Sequence, residues 1–226
     1  MTDASGQSFL VVGASGALGS RIARGLADAG ATVSAHGRSD ESLARLDLDG
    51  AHRLTGDLRQ PALPQQLVDA ATQRHGRLDG VVYAAGVVAF GPAARLDDDT
   101  LDDLTLLDFL APVRLVRAAL GVLGPGGVVA ALTGVPAERP FPNMAAYGAT
   151  KAALSSYLTA VRVESRRSKV RVLDLRPPHT ETGLATRAIA GDPPSMPTGL
   201  EPDAVAARCV AAILGTDTEV ASGDFG

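Results

Sequence analysis

The clearest chemistry in the sequence belongs to Tyr147 and Lys151, in the stretch AAYGATKAAL. A spacing of four on an apolar-periodic segment brings both side chains out on one helix face. An ammonium beside a phenol favours the phenolate and lowers the phenol's pKa, making tyrosine a usable acid or base nearer neutral pH. Composition sharpens the pairing, because of 21 lysines and arginines only Lys151 and Lys169 are lysine. Lysine at this spot reads as chosen for its chemistry.

A second pattern lies near the start, where Gly13, Gly16 and Gly19 fall in VVGASGALGSRIARGL between an apolar run and a helical period. One glycine makes the sharp turn, one lets backbone N–H groups approach a pyrophosphate, and one permits close helix packing. The N-terminus of the following helix adds positive potential for the phosphates. The next apolar run ends at His36, Gly37 and Arg38. A carboxylate there would bind a ribose diol, whereas an arginine accepts a 2′-phosphate as a fork. Asp40 and Glu41, further on, are read as helix-capping acids. The expected cofactor is NADP (NADPH), with NAD disfavoured.

Elements of two kinds must position these residues. Short apolar runs bounded by turn residues predict six strands, at 8–12, 31–35, 51–54, 80–84, 128–132 and 170–175. Helical periods between them predict helices at 17–29, 61–74, 101–120 and 145–166, with Pro61 at a helix start. This alternation is the signature of an α/β fold, a doubly wound (Rossmann) parallel sheet in a single domain over residues 1–226. Residues 177–200 concentrate proline and glycine around a short helical stretch, 184–189, and read as a mobile substrate flap. A final helix is expected at 202–214, with an edge strand or frayed end after it.

Other functions are excluded by composition. The chain has 226 residues, 46% hydrophobic and 20% charged, which excludes a disordered protein. A net charge of −4, five Phe, three Tyr and no Trp leave no footprint for nucleic acid. The single cysteine, Cys209, can form no internal disulfide and reads as a small helix filler, which suits a reducing compartment. No basic export signal and no apolar run of about 18 residues are visible, so a soluble, cytoplasmic protein without a membrane span is expected. His36, His52, His75 and His179 lack metal spacing, and no GxSxG, HExxH or Walker pattern occurs, so no metal site is expected. Asp97, Asp98 and Asp99 with Asp102 and Asp103 read as a solvated helix start. Leu104, Leu107, Val113, Leu154 and Leu158 spread over more than one helix face, so a second subunit is expected to cover part of that surface.

Taken in order, the GASGALG turn, GDL at 56–58, RLDGVVYAAG at 77–86 and YGATK at 147–151 resemble the short-chain dehydrogenase/reductase family over nearly the whole chain. The resemblance implies hydride transfer between NADP(H) and a carbonyl or alcohol substrate, in a homodimer or homotetramer. It further implies that Ser15 and Leu18 accompany the glycines at the cofactor and that Asp57, with Leu58, contacts adenine. Ala84, Ala85 and Gly86 would line the adenosine side. Lys151 would also bind the nicotinamide ribose, and Pro177, Thr180 and Thr182 would approach the nicotinamide amide or pyrophosphate. Departures are equally specific. The family's serine, 13 residues before the tyrosine, is Gly134, so Thr133 could supply the hydroxyl only if the strand end bulges. The family's asparagine is Asp108, in DFLAP, and its PG after the sixth strand is Pro177–Pro178. These leave a second reading, a nucleotide-binding protein with little redox turnover.

Overall fold

The computed structural model describes residues 3–226. Its strands are β1 (Ser8–Val12), β2 (Thr32–Gly37), β3 (His52–Thr55), β4 (Gly80–Tyr83), β5 (Val128–Leu132), β6 (Arg171–Leu175) and β7 (Glu219–Val220). They form one parallel sheet in the order β3-β2-β1-β4-β5-β6-β7. The α/β doubly wound class read from the sequence is therefore the fold observed, with β7 as a seventh strand at the edge. Strand order reverses between β1 and β4, and ligands of such sheets bind at the carboxyl ends of the strands beside that point. The glycine turn follows β1, and residues 84–86 follow β4, so both lie there.

Helices cover both faces: α1 (Ala17–Asp28), α2 (Asp40–Ala44), α3 (Leu63–His75), α4 (Asp98–Thr105), α5 (Ala111–Leu120), α6 (Ala145–Glu164) and α7 (Pro202–Leu214). Alternation along β1 shows how the strands serve two cores. Phe9 and Val11 join Ile22 and Leu26 of α1 and Val205, Cys209 and Ile213 of α7 on one face. Leu10 and Val12 join Leu67 and Val68 of α3, Leu115 of α5 and Leu154 and Leu158 of α6 on the other. Cys209 is fully buried, and burial pushes its thiol up to about 12, in keeping with an inert filler.

Three boundaries differ from the sequence reading for identifiable reasons. Helix α3 starts at Leu63, with Pro64 rather than Pro61 in its first turn. The five-residue α2, not foreseen as an element, is nucleated by a capping box in which Ser39 and Ser42 bond reciprocally. The expected helix over 101–120 is broken into α4, a π-turn over Leu106–Leu110, and α5. Pro112 has no N–H to give the carbonyl four residues back, that of Asp108, and its ring crowds that carbonyl. The chain widens instead, with the Ala111 N–H bonding Leu106 O. Asp97 caps α4, its carboxylate accepting from Thr100 N at 2.8 Å, as the acidic run suggested.

The leucines expected to face a second subunit are used internally: Leu104, Leu107, Leu154 and Leu158 are all buried within the chain. Leu101, Val122 and Val163 are the large apolar side chains that these helices and their ends do expose. Among the described residues no helix is long and apolar enough to cross a membrane.

Leu154 lies on the buried stripe of α6 that also carries Tyr147 and Lys151. Leu154→Ala should lower unfolding free energy by about 2–5 kcal/mol, as buried leucine truncations do. Urea unfolding followed by circular dichroism would measure this, and a loss well below that range would show that α6 is not anchored there.

Candidate active site

The turn after β1 is built by close approach. Gly13 has φ +87°, and a Cβ on it would lie 2.6 Å from Ala85 N and 2.8 Å from the Ala84 carbonyl carbon. A Cβ on Gly19 would collide with Gly13 O, so the helix can start where it does only with glycine there. Gly16, the N-cap of α1, supplies no side-chain bond to the first turn. Orphan N–H groups at a helix start, beside a turn with no side chains, suit a pyrophosphate. Ser15 and Gly16 are exposed and Leu18 is half-buried against the core.

Gly86 extends this contact to the helix that carries the chemistry. A Cβ on Gly86 would lie 2.5 Å from Asp108 Oδ1 and 3.3 Å from Lys151 Nζ. Gly13, Ala84–Gly86, Asp108 and Lys151 are thus successive neighbours around one end of the sheet. Lys151 is only 5% exposed, with Nζ 3.1 Å from Asp108 Oδ1 and 3.4 Å from Leu132 O. Tyr147 is buried on the same face of α6, its ring centroid 5.6 Å from that ammonium.

The electrostatics reverse one expectation. Burial pushes the Tyr147 phenol above its ordinary value; Lys151 pulls it down, and Asp108 pushes it up again. The ammonium does lower the phenol, as the spacing implied, but burial outweighs it and Asp108 offsets part of its pull. Burial also raises the Asp108 carboxyl against the pull of Lys151. On Lys151 the effect of burial is outweighed by Asp108 and Tyr147, which hold it protonated.

The Thr133 hydroxyl is engaged within the chain. It is buried and donates to Asp174 Oδ1 at 2.5 Å, while Ser155 Oγ of α6 donates to Asp174 Oδ2 at 2.6 Å. The amides of Thr133 and Gly134 both bond Leu175 O, so the strand end does turn, yet the threonine side chain remains beneath α6. Gly134 leaves β5 at φ +80° and ψ 170°, a region open essentially to glycine alone. Residue 134 is therefore set apart by its backbone as well as by its lack of a side chain.

The other cofactor candidates are placed as follows. Arg38 is exposed directly after β2, beside the Ser39 cap. Asp57 is tied by Arg59, its Oδ1 accepting Arg59 N at 2.9 Å. Leu58 packs in the core beside α3, leaving only its backbone available to a ligand. Pro177 is buried, and its carbonyl accepts from Val135 N. Thr180 Oγ1 donates to Pro178 O, and Thr182 Oγ1 accepts from Leu184 N, so both hydroxyls serve the segment after β6. That segment folds back on residues 88–90, with Ile189 N on Val88 O at 2.8 Å and Phe90 N on Ala190 O at 2.9 Å. Its helical part is a single 3₁₀ turn at Ala185–Arg187. Beside Tyr147, Phe90, Leu96, Leu104, Met144 and Ala146 line a small cleft. Sequence reasoning missed this lining, and only the apolar run at 87–90 could have pointed to it. Among the described residues no group of three or more His, Cys, Asp or Glu is arranged to hold a metal ion.

Residues 7–192 match the family model for short chain dehydrogenases. The chain belongs to that family. It is 29% identical over 193 residues to sulfoacetaldehyde reductase 2 of Chromohalobacter salexigens, covering 81% of this chain and 76% of the relative. A short chain dehydrogenase of Burkholderia cenocepacia, solved in complex with NADP, superposes with a TM-score of 0.82 at 24% identity, covering 98% of this chain and 99% of that one. The 3-ketoacyl-(acyl-carrier-protein) reductase of Brucella melitensis, solved with NADH, gives 0.84 at 23% identity over the same shares. Both structures share the fold. Membership of the family supports an oxidoreductase that works with a nicotinamide dinucleotide.

Because residue 134 adopts a glycine conformation, Gly134→Ser should not restore a hydroxyl to the site. It should cost about 1–3 kcal/mol of stability through backbone strain. Thermal or urea unfolding measures the cost; a variant as stable as the parent and more active would contradict the assignment.

Proposed function

We propose that the protein is an NADP-dependent reductase or dehydrogenase that transfers hydride between the cofactor and a small-molecule carbonyl or alcohol. The observation that carries this reading is the contact chain from the Gly13 turn through Ala85 and Gly86 to Lys151, which joins a nucleotide cradle to an acid/base helix. The absence of any Cβ at Gly13, Gly19 and Gly86 lets the turn, the segment after β4 and the Asp108–Lys151 pair close on one another, which brings the α1 N-terminus beside the acid/base helix. Gly13, Ser15, Gly16, Leu18, Gly19, Ala84, Ala85 and Gly86 would hold it, with Pro177, Thr180 and Thr182 at its nicotinamide end and Asp57 and the Leu58 backbone at adenine. Arg38 offers the fork for a 2′-phosphate. The bound cofactor supplies the hydride chemistry.

Within the chain, Tyr147 gives its hydroxyl proton to the oxygen of a carbonyl substrate as negative charge develops there. Lys151 holds that region positive and would bond the nicotinamide ribose. With Thr133 committed to Asp174 and glycine at 134, the substrate oxygen depends on Tyr147 for its hydrogen bond. Loss of one such donor typically costs about 10²–10³ in rate, so a slow enzyme is expected. A cytoplasmic homodimer or homotetramer remains part of this reading, with Leu101 and Val163 as exposed apolar contacts.

A second reading has one observation in its favour: Lys151 is held in an internal ion pair with Asp108. It describes a dinucleotide-binding protein of little turnover, and a carbonyl panel with NADPH separates the two.

NADPH should bind at least about tenfold tighter than NADH, and Arg38→Ala should erase most of the difference. Fluorescence titration measures both; equal affinities in the parent protein would contradict the NADP assignment. Tyr147→Phe should lower kcat by about 10²–10⁴, the range of a lost general acid, with NADPH affinity retained. NADPH binding without turnover by the parent protein on any carbonyl would replace the first reading with the second.

A further inference from the structure

The centre of the site holds a group that hydride transfer does not require. Asp108 is fully buried, presented by the π-turn that Pro112 forces between α4 and α5. Its Oδ1 faces Lys151 Nζ at 3.1 Å and accepts from Val87 N at 3.3 Å. Its Oδ2 is equally buried and has no hydrogen-bond partner in the structure. A buried carboxylate with one oxygen unsatisfied is costly, and it persists where its charge acts on a neighbour.

We propose that Asp108 is a positioning residue that acts through Lys151 on Tyr147, drawing the ammonium into a buried ion pair and so keeping Tyr147 a weak proton donor. Its consequence for turnover rests on the hydride-transfer reading above; its effect on the phenol does not. A lone ammonium beside the phenol would favour the phenolate, and a carboxylate at 3.1 Å from that ammonium offsets part of its pull on the ring. Gly86 makes the arrangement possible, since any Cβ there would occupy the space between Asp108 and Lys151.

The charged and titratable groups around the pair are few. Lys151 shares α6 with Tyr147, Asp108 comes from the π-turn, Asp174 lies on β6 and Tyr83 on β4. Asp174 is already engaged by Thr133 and Ser155, with Arg176 Nε 3.7 Å away, so it does not substitute for Asp108. Tyr83 donates a hydrogen bond to Leu107 O at 2.5 Å and is held far above the ordinary phenol range, first by burial and then by Asp108. Asp108 is thus the one group whose neutralisation, with little change of shape, would release the positive charge of Lys151 toward Tyr147.

The test is an ultraviolet titration of tyrosinate on the full chain, which has three tyrosines and no tryptophan to obscure the band. Tyr147→Phe, made in the parent and in Asp108→Asn, assigns the Tyr147 transition by difference. In Asp108→Asn the Tyr147 midpoint should fall by about one pH unit or more, a tenfold gain in acidity. The alkaline limb of kcat/KM for carbonyl reduction by NADPH should move down with it, because the proton donor is lost at lower pH. An unchanged or raised midpoint overturns the proposal. Should Asp108→Asn fail to fold, Asp108→Ser, which also removes the charge, decides by the same comparison: a Tyr147 midpoint below that of the parent supports the proposal, and an unchanged or raised one overturns it. A lowered midpoint with no turnover from either protein upholds the role of Asp108 and overturns the hydride-transfer reading.

Discussion

A full positive charge under the edge of a parallel sheet is the constraint around which the rest of the site is arranged. Lys151 is 5% exposed, and an unpaired ammonium at that depth would carry a large desolvation cost. The structure meets it with Asp108 at 3.1 Å, the Leu132 carbonyl, and Asp174 behind. Each of these needs its own backbone accommodation. The π-turn before α5 presents Asp108, Gly86 makes room for it, and Thr133 and Ser155 orient Asp174. Breaking such a buried pair from one side leaves the other charge uncompensated, which explains why these features occur together.

Two groups give the site its particular shape. Asp108 places a buried carboxylate beside the lysine, and Gly134 holds a φ of +80° that disfavours an ordinary side chain where the chain leaves β5. Gly86 ties the first of them to the turn after β4, because a Cβ there would meet Asp108 Oδ1. In the proposed reading the glycine turn serves binding and the Tyr147 helix serves proton transfer, which is why binding and turnover are measured apart.

Sheet and helices were legible because buried parallel strands read as short Val-rich runs and their covering helices as 3.6-residue periods. That Tyr147 and Lys151 share one face of a helix was legible from their spacing. What the sequence did not display is what depends on three-dimensional pairing. The direction of the Thr133 hydroxyl is set by Asp174, 41 residues away. The break at Leu106–Leu110 follows from Pro112, whose position within an apolar period reads equally well as a first-turn proline. The effect of Asp108 on Tyr147 arises between two helices, and no spacing within either one encodes it. Which apolar residues of α4 and α6 stay exposed was also not legible, because Leu104, Leu154 and Leu158 are covered by their own chain while Leu101 and Val163 are not.

The account makes the glycine turn and the Tyr147 helix two halves of one ligand site. Hydrogen–deuterium exchange of the backbone, with and without saturating NADPH, tests that most directly. Slowed exchange is predicted together in residues 13–19, in 84–87 after β4, and in the segment 177–191 that folds back beside Tyr147. Unchanged exchange in all three, or slowing confined to regions away from them, would contradict it.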